Sequence, residues 1–180
     1  FISLAELLKQ SGYVSARFGK WHLGDSNQGF DFSSANGDLQ FYTNKKENEA
    51  RFYNDIHVAE KLTDRAVDFI ENHQKSPFFL YLSHWEVHTP IVARKERIEY
   101  FEKKNKTNPL WQEFDPVYAA EVEQVDLSVG RVLKKLEELD LQENTVVFFT
   151  SDNGGLLDRT SNLPLRAGKG TYYEGGIRVP

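Results

Sequence analysis

The chain contains no cysteine and no methionine. Without cysteine, thiol usage says nothing about redox compartment. Methionine is missing even at the first position. The sequence starts mid-pattern at Phe1 and stops at Pro180 inside a glycine-rich motif, so it reads as an internal piece of a longer protein. No apolar run approaches the ~20 residues that cross a bilayer, which excludes a spanning helix within the chain. No secretory signal is visible at its start. There is no basic block, and the net charge is −5, which argues against a general nucleic-acid binder. Internal repeats and low-complexity segments are also missing.

What is present describes a soluble globular domain with a sizeable core. The 180 residues are 39% hydrophobic and 27% charged, with 13 Phe and 8 Tyr. Ser3-Leu4-Ala5-Glu6 has capping-box spacing and opens a short helix that Gly12 closes. Tyr13 to Phe18 reads as a strand. Asp25 to Asp55 is polar and aromatic and reads as an irregular surface excursion. Val58, Leu62, Ala66, Phe69 and Ile70 follow helical spacing, which predicts a helix over 56–73. His57 and His73 lie near its two ends and need no chemical role. Pro77 ends that pattern, and Phe78 to Leu82 reads as the next strand. Arg94 to Lys106 reads as a short solvated helix and loop. Asp115-Pro116 supplies an N-cap and a proline at the first helical position. Val122, Val125, Val129, Val132, Leu133, Leu136 and Leu139 then predict a long helix over 116–139, with Glu121, Glu123 and Asp126 on its solvated side. The alternation of helix and strand implies an α/β domain with largely parallel strands.

One stretch organises the rest. Val146-Val147-Phe148-Phe149 has the length and composition of a strand buried on both faces, and it runs into Thr150-Ser151-Asp152-Asn153-Gly154-Gly155. Asp152 and Asn153 offer hard oxygen ligands that suit Ca²⁺ or Mg²⁺. The bland reading is a strand followed by an Asx turn. Two further strand ends carry charge. The first leads into Gly19-Lys20-Trp21-His22-Leu23-Gly24, and the second into Ser83-His84-Trp85-Glu86-Val87-His88-Thr89-Pro90. Two histidines four apart suggest a helical zinc pair, but the preceding strand and Pro90 oppose a helix. His88 is taken as the histidine that reaches a site, and His84 as one that packs nearby. A last motif, Gly168-Lys169-Gly170, sets a lysine between glycines where it can meet an anion closely. It lacks the G-x-x-x-x-G-K-[ST] order of a P-loop.

Lys20, His22, His88, Asp152, Asn153 and Lys169 combine cations with hard metal ligands. In open α/β sheets ligands bind beyond the carboxyl ends of the strands. An acidic chain that gathers cations there fits a tetrahedral oxyanion, sulfate or phosphate, with a metal neutralising developing charge. A histidine there can act as general acid or base. These residues point to metal-assisted ester transfer or hydrolysis and do not separate sulfur from phosphorus.

Gly12-Tyr13-Val14-Ser15-Ala16-Arg17-Phe18-Gly19-Lys20-Trp21-His22-Leu23-Gly24 resembles the second signature of the type I, formylglycine-dependent sulfatases. The resemblance continues in order through Val87-His88-Thr89-Pro90, Ser151-Asp152-Asn153-Gly154-Gly155, Gly168-Lys169-Gly170 and Glu174-Gly175-Gly176-Ile177-Arg178-Val179-Pro180. It implies an alkaline-phosphatase-like α/β sandwich with a largely parallel sheet, of which residues 1–180 form the central part of one catalytic domain. It implies that Asp152 and Asn153 are ligands of a divalent cation, usually Ca²⁺, and that Lys20 and Lys169 hold the sulfate. His22 then orients and assists the nucleophile, and His88 stands beside the leaving-group oxygen. Arg178 matches a family arginine and is read as structural. The implied substrate is a sulfate ester of a carbohydrate or an aryl alcohol, and the implied partner is a formylglycine-generating enzyme. A secreted, periplasmic or lysosomal setting is also implied.

The sequence departs from the family in two respects. The formylglycine motif, Cys/Ser-x-Pro/Ala-x-Arg, and two amino-terminal Asp ligands are not found, and Ser15-Ala16-Arg17 does not match. Truncation accounts for both. The expectation is that the nucleophile lies outside these residues and that they have no sulfatase activity by themselves. The alternatives are a non-catalytic binder of sulfated glycans and a phosphoester hydrolase of the same superfamily.

Overall fold

The computed structural model describes residues 1–24, 27–34, 58–107 and 114–179. Helix α1 spans Leu4–Lys9, and its capping box is complete: Ser3 Oγ accepts from the Glu6 amide, and Glu6 accepts from the Ser3 amide. Gly12 takes φ +81 just beyond it. Strand β1, Val14–Gly19, follows and forms the middle of a parallel sheet of order β2-β1-β3, with β2 at Phe32–Ser33 and β3 at Phe78–Ser83. The β1/β3 register runs from Val14 opposite Phe78 to Gly19 opposite Ser83, so the two strands end level with each other. That levelness sets the Lys20 and His84 loops side by side.

One long helix packs on the sheet, and a second long helix packs on the first. Helix α2 is Val58–His73 and helix α4 is Pro116–Glu138, with α3, Lys95–Thr107, packed on α4. The Asp115 side chain caps α4 by accepting from the Val117 amide at 2.8 Å. One core cluster joins Val58, Leu62 and Trp85 with Phe18 and Leu82, and a second joins Ala93, Ile98 and Phe101 with Val117 and Ala120. His73 donates through Nδ1 to the Phe69 carbonyl at 2.8 Å and packs on the Phe69 ring. His57 and most of the 25–55 stretch lie outside the described residues, but Phe32–Ser33 within it pairs with β1 and so is sheet, not irregular chain. Among the described residues no helix is long and apolar enough to cross a membrane.

Three expectations are corrected. Residues 146–149 form no strand: among the described residues they pair with no neighbour, and Val146 and Phe148 are 79% and 89% exposed. High β-propensity makes a strand only where a partner supplies the ladder, and no strand among the described residues pairs with this segment. The solvated helix over 94–106 is instead a docked one. Ile98 and Phe101 are buried, Arg94 pairs with Glu60 at 2.6 Å, and Arg97 pairs with Glu123.

The third correction concerns the buried face of α4. Val122 and Leu133 are largely exposed, and the buried positions are Val117, Ala120, Glu121, Gln124, Ser128 and Leu136. The turn of the helix is set by its partners. Ser128 Oγ meets Thr63 Oγ1 of α2 at 2.5 Å and His84 Nε2 at 3.2 Å, a buried polar chain that fixes which face points inward.

Glu121 is therefore not solvated. It is fully buried, accepts from the Val92 amide at 3.0 Å through Oε1, and leaves Oε2 without a hydrogen bond. Burial, reinforced by the Glu86 and Asp115 carboxylates, pushes its carboxyl from an ordinary 4.5 up to about 9, against a smaller pull from the Val92 amide. The folded chain holds this proton across a window in which the unfolded chain has released it, so stability falls as pH rises from 4.5 to about 9. Glu121→Gln keeps the acceptor for Val92 and removes the titration. The variant is expected to lose fewer degrees of Tm than the parent between about pH 5 and pH 8, at about 2–4 °C for each kcal/mol. Parallel Tm losses in scanning calorimetry would contradict this role for Glu121.

Candidate active site

The site begins where β1 ends. Gly19 has φ +96, and a Cβ there would run into the Ser83 carbonyl, so only glycine lets the two strand ends approach this closely. Just past it the Lys20 amide donates to Ser83 O at 2.8 Å, and Ser83 Oγ donates back to Lys20 O at 2.7 Å. Ser83 is thus the staple between the two loops. The His22 ring meets the Trp85 ring edge-on, 6.0 Å between centroids, and Trp85 is buried in the α2–sheet core.

The two histidines of the β3 loop go separate ways. His84 turns inward to Ser128. His88 is exposed; its amide donates to Trp85 O at 3.0 Å, and its Nδ1 lies 2.7 Å from Thr89 O. Glu86 Oε1 accepts from the Ala59 amide at 3.1 Å, which satisfies a first-turn donor of α2 and ties this loop to the helix.

Asp152 and Asn153 follow an unpaired segment rather than a strand, so glycine packing positions them in place of a ladder. The Gly154 amide donates to Gly176 O at 2.9 Å, and a Cβ on Gly154 would collide with Gly175 O. Helix α5, Glu174–Ile177, is the short turn that presents those two glycines. Arg178 folds back toward Glu174, 3.8 Å between charged atoms, within this same turn. Lys169 occupies a tight turn in which Thr171 donates through both N and Oγ1 to Gly168 O, at 3.2 and 2.8 Å, and Gly170 takes φ +86. The Lys169 amide donates to Gly155 O at 3.0 Å.

These contacts link His88, His22, Lys20, Asp152 and Lys169 into one path. His88 joins Trp85, Trp85 meets His22, and Ser83 holds Lys20. Lys20 Nζ lies 3.5 Å from Asp152 Oδ2, and Gly155, three residues on, carries Lys169. The Lys20 side chain is 23% exposed and the Asp152 side chain 70%. The carboxylate is therefore open to a second cation on its solvent side. Asp152 and Asn153 fit a hard divalent ion in donor type, although among the described residues no group of three His, Cys, Asp or Glu side chains gathers to complete a shell. Reasoning from the sequence missed Ser83 and Trp85. Nothing in their spacing marks them, because each acts through contacts with residues distant along the chain or through the backbone.

A parallel sheet with Lys20 and His22 just past the end of β1, and an Asp-Asn pair brought against Lys20 by a separate loop, belongs to an α/β protein of the alkaline-phosphatase-like class, the fold of its structural neighbours. The family model described as Sulfatase matches residues 1–180, and the chain belongs to that family. It is 42% identical over 134 residues to a protein named Sulfatase from Formosa agariphila, covering 69% of this chain and 24% of that one. It is 35% identical to N-acetylgalactosamine-6-sulfatase from Mus musculus, covering 98% of this chain and 38% of the relative. Among solved structures, Ps i-CgsB in complex with k-i-k-neocarrahexaose superposes with a TM-score of 0.76 at 30% identity, over 98% of this chain and 45% of that one. The chain thus spans less than half the length of each of these three proteins.

Proposed function

We propose that the protein containing this chain hydrolyses sulfate esters of carbohydrates. The observation that carries the reading is the 3.5 Å approach of Lys20 Nζ to Asp152, which joins an anion-binding strand end to the hard-ligand pair. The names of the relatives support a sulfate ester as substrate, and the neocarrahexaose complex of a structural neighbour supports a sugar as its alcohol part. Residues 1–180 then form the central part of a single catalytic domain.

In this reading Lys20 and Lys169 bind and orient the sulfate through its oxygens. His88, exposed beside its loop, holds a proton at the bridging oxygen that leaves with the sugar. His22, braced edge-on by Trp85, orients the nucleophile and assists its proton transfer. Asp152 and Asn153 would help hold Ca²⁺ or Mg²⁺, which when bound offsets negative charge developing on the sulfate. The nucleophile is a formylglycine made by a formylglycine-generating enzyme from a residue outside this chain. Water and the ester yield the free alcohol and sulfate.

The test uses matched substrates on the whole protein co-produced with a formylglycine-generating enzyme and supplied with Ca²⁺. Turnover of 4-nitrophenyl sulfate or of a 6-sulfated amino sugar, with little turnover of 4-nitrophenyl phosphate, is the expected result. Preference for the phosphate would make the protein a phosphoester hydrolase. Tight binding of sulfated glycans without turnover, once the formylglycine is confirmed by mass spectrometry, would make it a binder.

A further inference from the structure

We infer that Asn162 is a positioning residue that couples the Asp152-Asn153 pair to Lys169, so that cation and sulfate binding are gained and lost together. The role of the two groups it couples rests on the sulfatase reading above. The geometry centres on one peptide. Asn162 Oδ1 accepts from the Gly155 amide at 2.9 Å, and Asn162 Nδ2 donates to the Gly155 carbonyl at 2.8 Å. That same carbonyl accepts from the Lys169 amide at 3.0 Å. One carboxamide therefore satisfies both polar groups of Gly155, and Gly155 in turn holds the lysine turn.

Two glycines close the carboxamide in. A Cβ on Gly155 would lie 3.1 Å from Asn162 Oδ1, and one on Gly168 would lie 2.7 Å from Asn162 Nδ2 and 2.5 Å from Gly155 O. The Leu165 amide donates to Asn162 O at 2.9 Å, which fixes the backbone that presents the side chain. Residues 146–149 lend Asp152 and Asn153 no ladder on their amino-terminal side. The pair is held instead by Lys20 at Asp152, by Ser151 Oγ donating to the Asn153 carbonyl at 2.7 Å, and by the contacts of Gly154 and Gly155 on its carboxyl-terminal side. Asparagine is suited to this work because its planar carboxamide carries a donor and an acceptor side by side, matching the N–H and C=O of one glycine.

Asn162→Asp is the informative variant. It keeps size and the acceptor for the Gly155 amide, but sets a carboxylate oxygen against the Gly155 carbonyl. Asn162→Ala removes both bonds. In the whole protein, stripped of metal and then titrated by calorimetry, both variants are expected to weaken Ca²⁺ binding and inorganic sulfate binding together, each by about tenfold, the scale of one lost part-buried hydrogen bond. Amide exchange at Lys169 is expected to quicken by a similar factor, while exchange in β1 stays unchanged. In kinetics the loss falls on KM for the sulfate ester more than on kcat.

A merely structural residue would instead lower Tm and the active fraction and leave both affinities of the folded protein in place. That outcome overturns the coupling, as does loss of one affinity without the other or full retention in Asn162→Asp. If the parent protein binds neither ion, the sulfatase reading fails, and exchange at Lys169 decides the coupling alone. Quickened exchange in the variants sustains it, and unchanged exchange ends it.

Discussion

Replacing Lys169 by alanine in the whole protein is expected to lower kcat/KM for a sulfate ester by about 10²-fold or more, and Lys20→Ala to do the same. The reaction builds negative charge on oxygens that these two ammonium groups would hold. Each is supplied on a backbone that cannot drift. Lys20 follows the Gly19–Ser83 junction with its own N–H and C=O both bonded to Ser83. Lys169 sits in a turn closed by Thr171 and anchored to Gly155. A preorganised charge acts without reorganisation cost, which is why deleting one is so damaging. The histidines sharpen the test. His88→Ala should cost far more turnover than His84→Ala, since His88 is exposed beside the path while His84 is engaged with Ser128 in the interior. His84→Ala should appear instead as a lower Tm. Equal losses at the two histidines in steady-state kinetics would mean that His84 also serves the reaction.

Gly19→Ala is expected to destabilise the folded chain by about 2–4 kcal/mol and to abolish most activity. Two costs add. The residue holds φ +96, where a side chain is strained. The new methyl also points at the Ser83 carbonyl, a backbone atom that accepts the Lys20 amide and cannot swing aside. Relief would require the ends of β1 and β3 to part, carrying Lys20 and His22 away from Asp152. Two controls separate the causes. Gly24 has φ +73, and among the described residues nothing lies within 4 Å of a Cβ built there, so Gly24→Ala is expected to carry only backbone strain, about 1 kcal/mol. Gly130 lies within α4, and among the described residues nothing stands within 4 Å of a Cβ built there, so Gly130→Ala should stabilise by about 0.5–1 kcal/mol. Urea unfolding of the three variants checks the ranking. A Gly19→Ala protein as stable as Gly24→Ala would show that the strand ends are not held as closely as described.

Much of this architecture is written locally. The capping box at Ser3, the N-cap at Asp115, the left-handed Gly12 and the β1 and β3 runs each depend on a few neighbouring residues, and each lies where its pattern predicts. The motifs holding Lys20, His22, His88, Asp152, Asn153 and Lys169 could be found for the same reason, since special backbone and charged side chains coincide within short windows.

What the amino-acid order determined by itself was therefore the family, most of the element types and the candidate chemistry, because caps, turns, periodicity and motif spacing are short-range properties of the chain. Tertiary structure alone decided three other matters. It left 146–149 without a ladder, since β-propensity cannot provide the neighbouring strand. It turned α4 so that Glu121 is buried and Val122 exposed, since Thr63 and His84 reach Ser128 from other elements. It also made Ser83 and Asn162 the fasteners of the site, because a hydrogen bond between distant residues depends on where the fold delivers them, and no spacing along the chain records that.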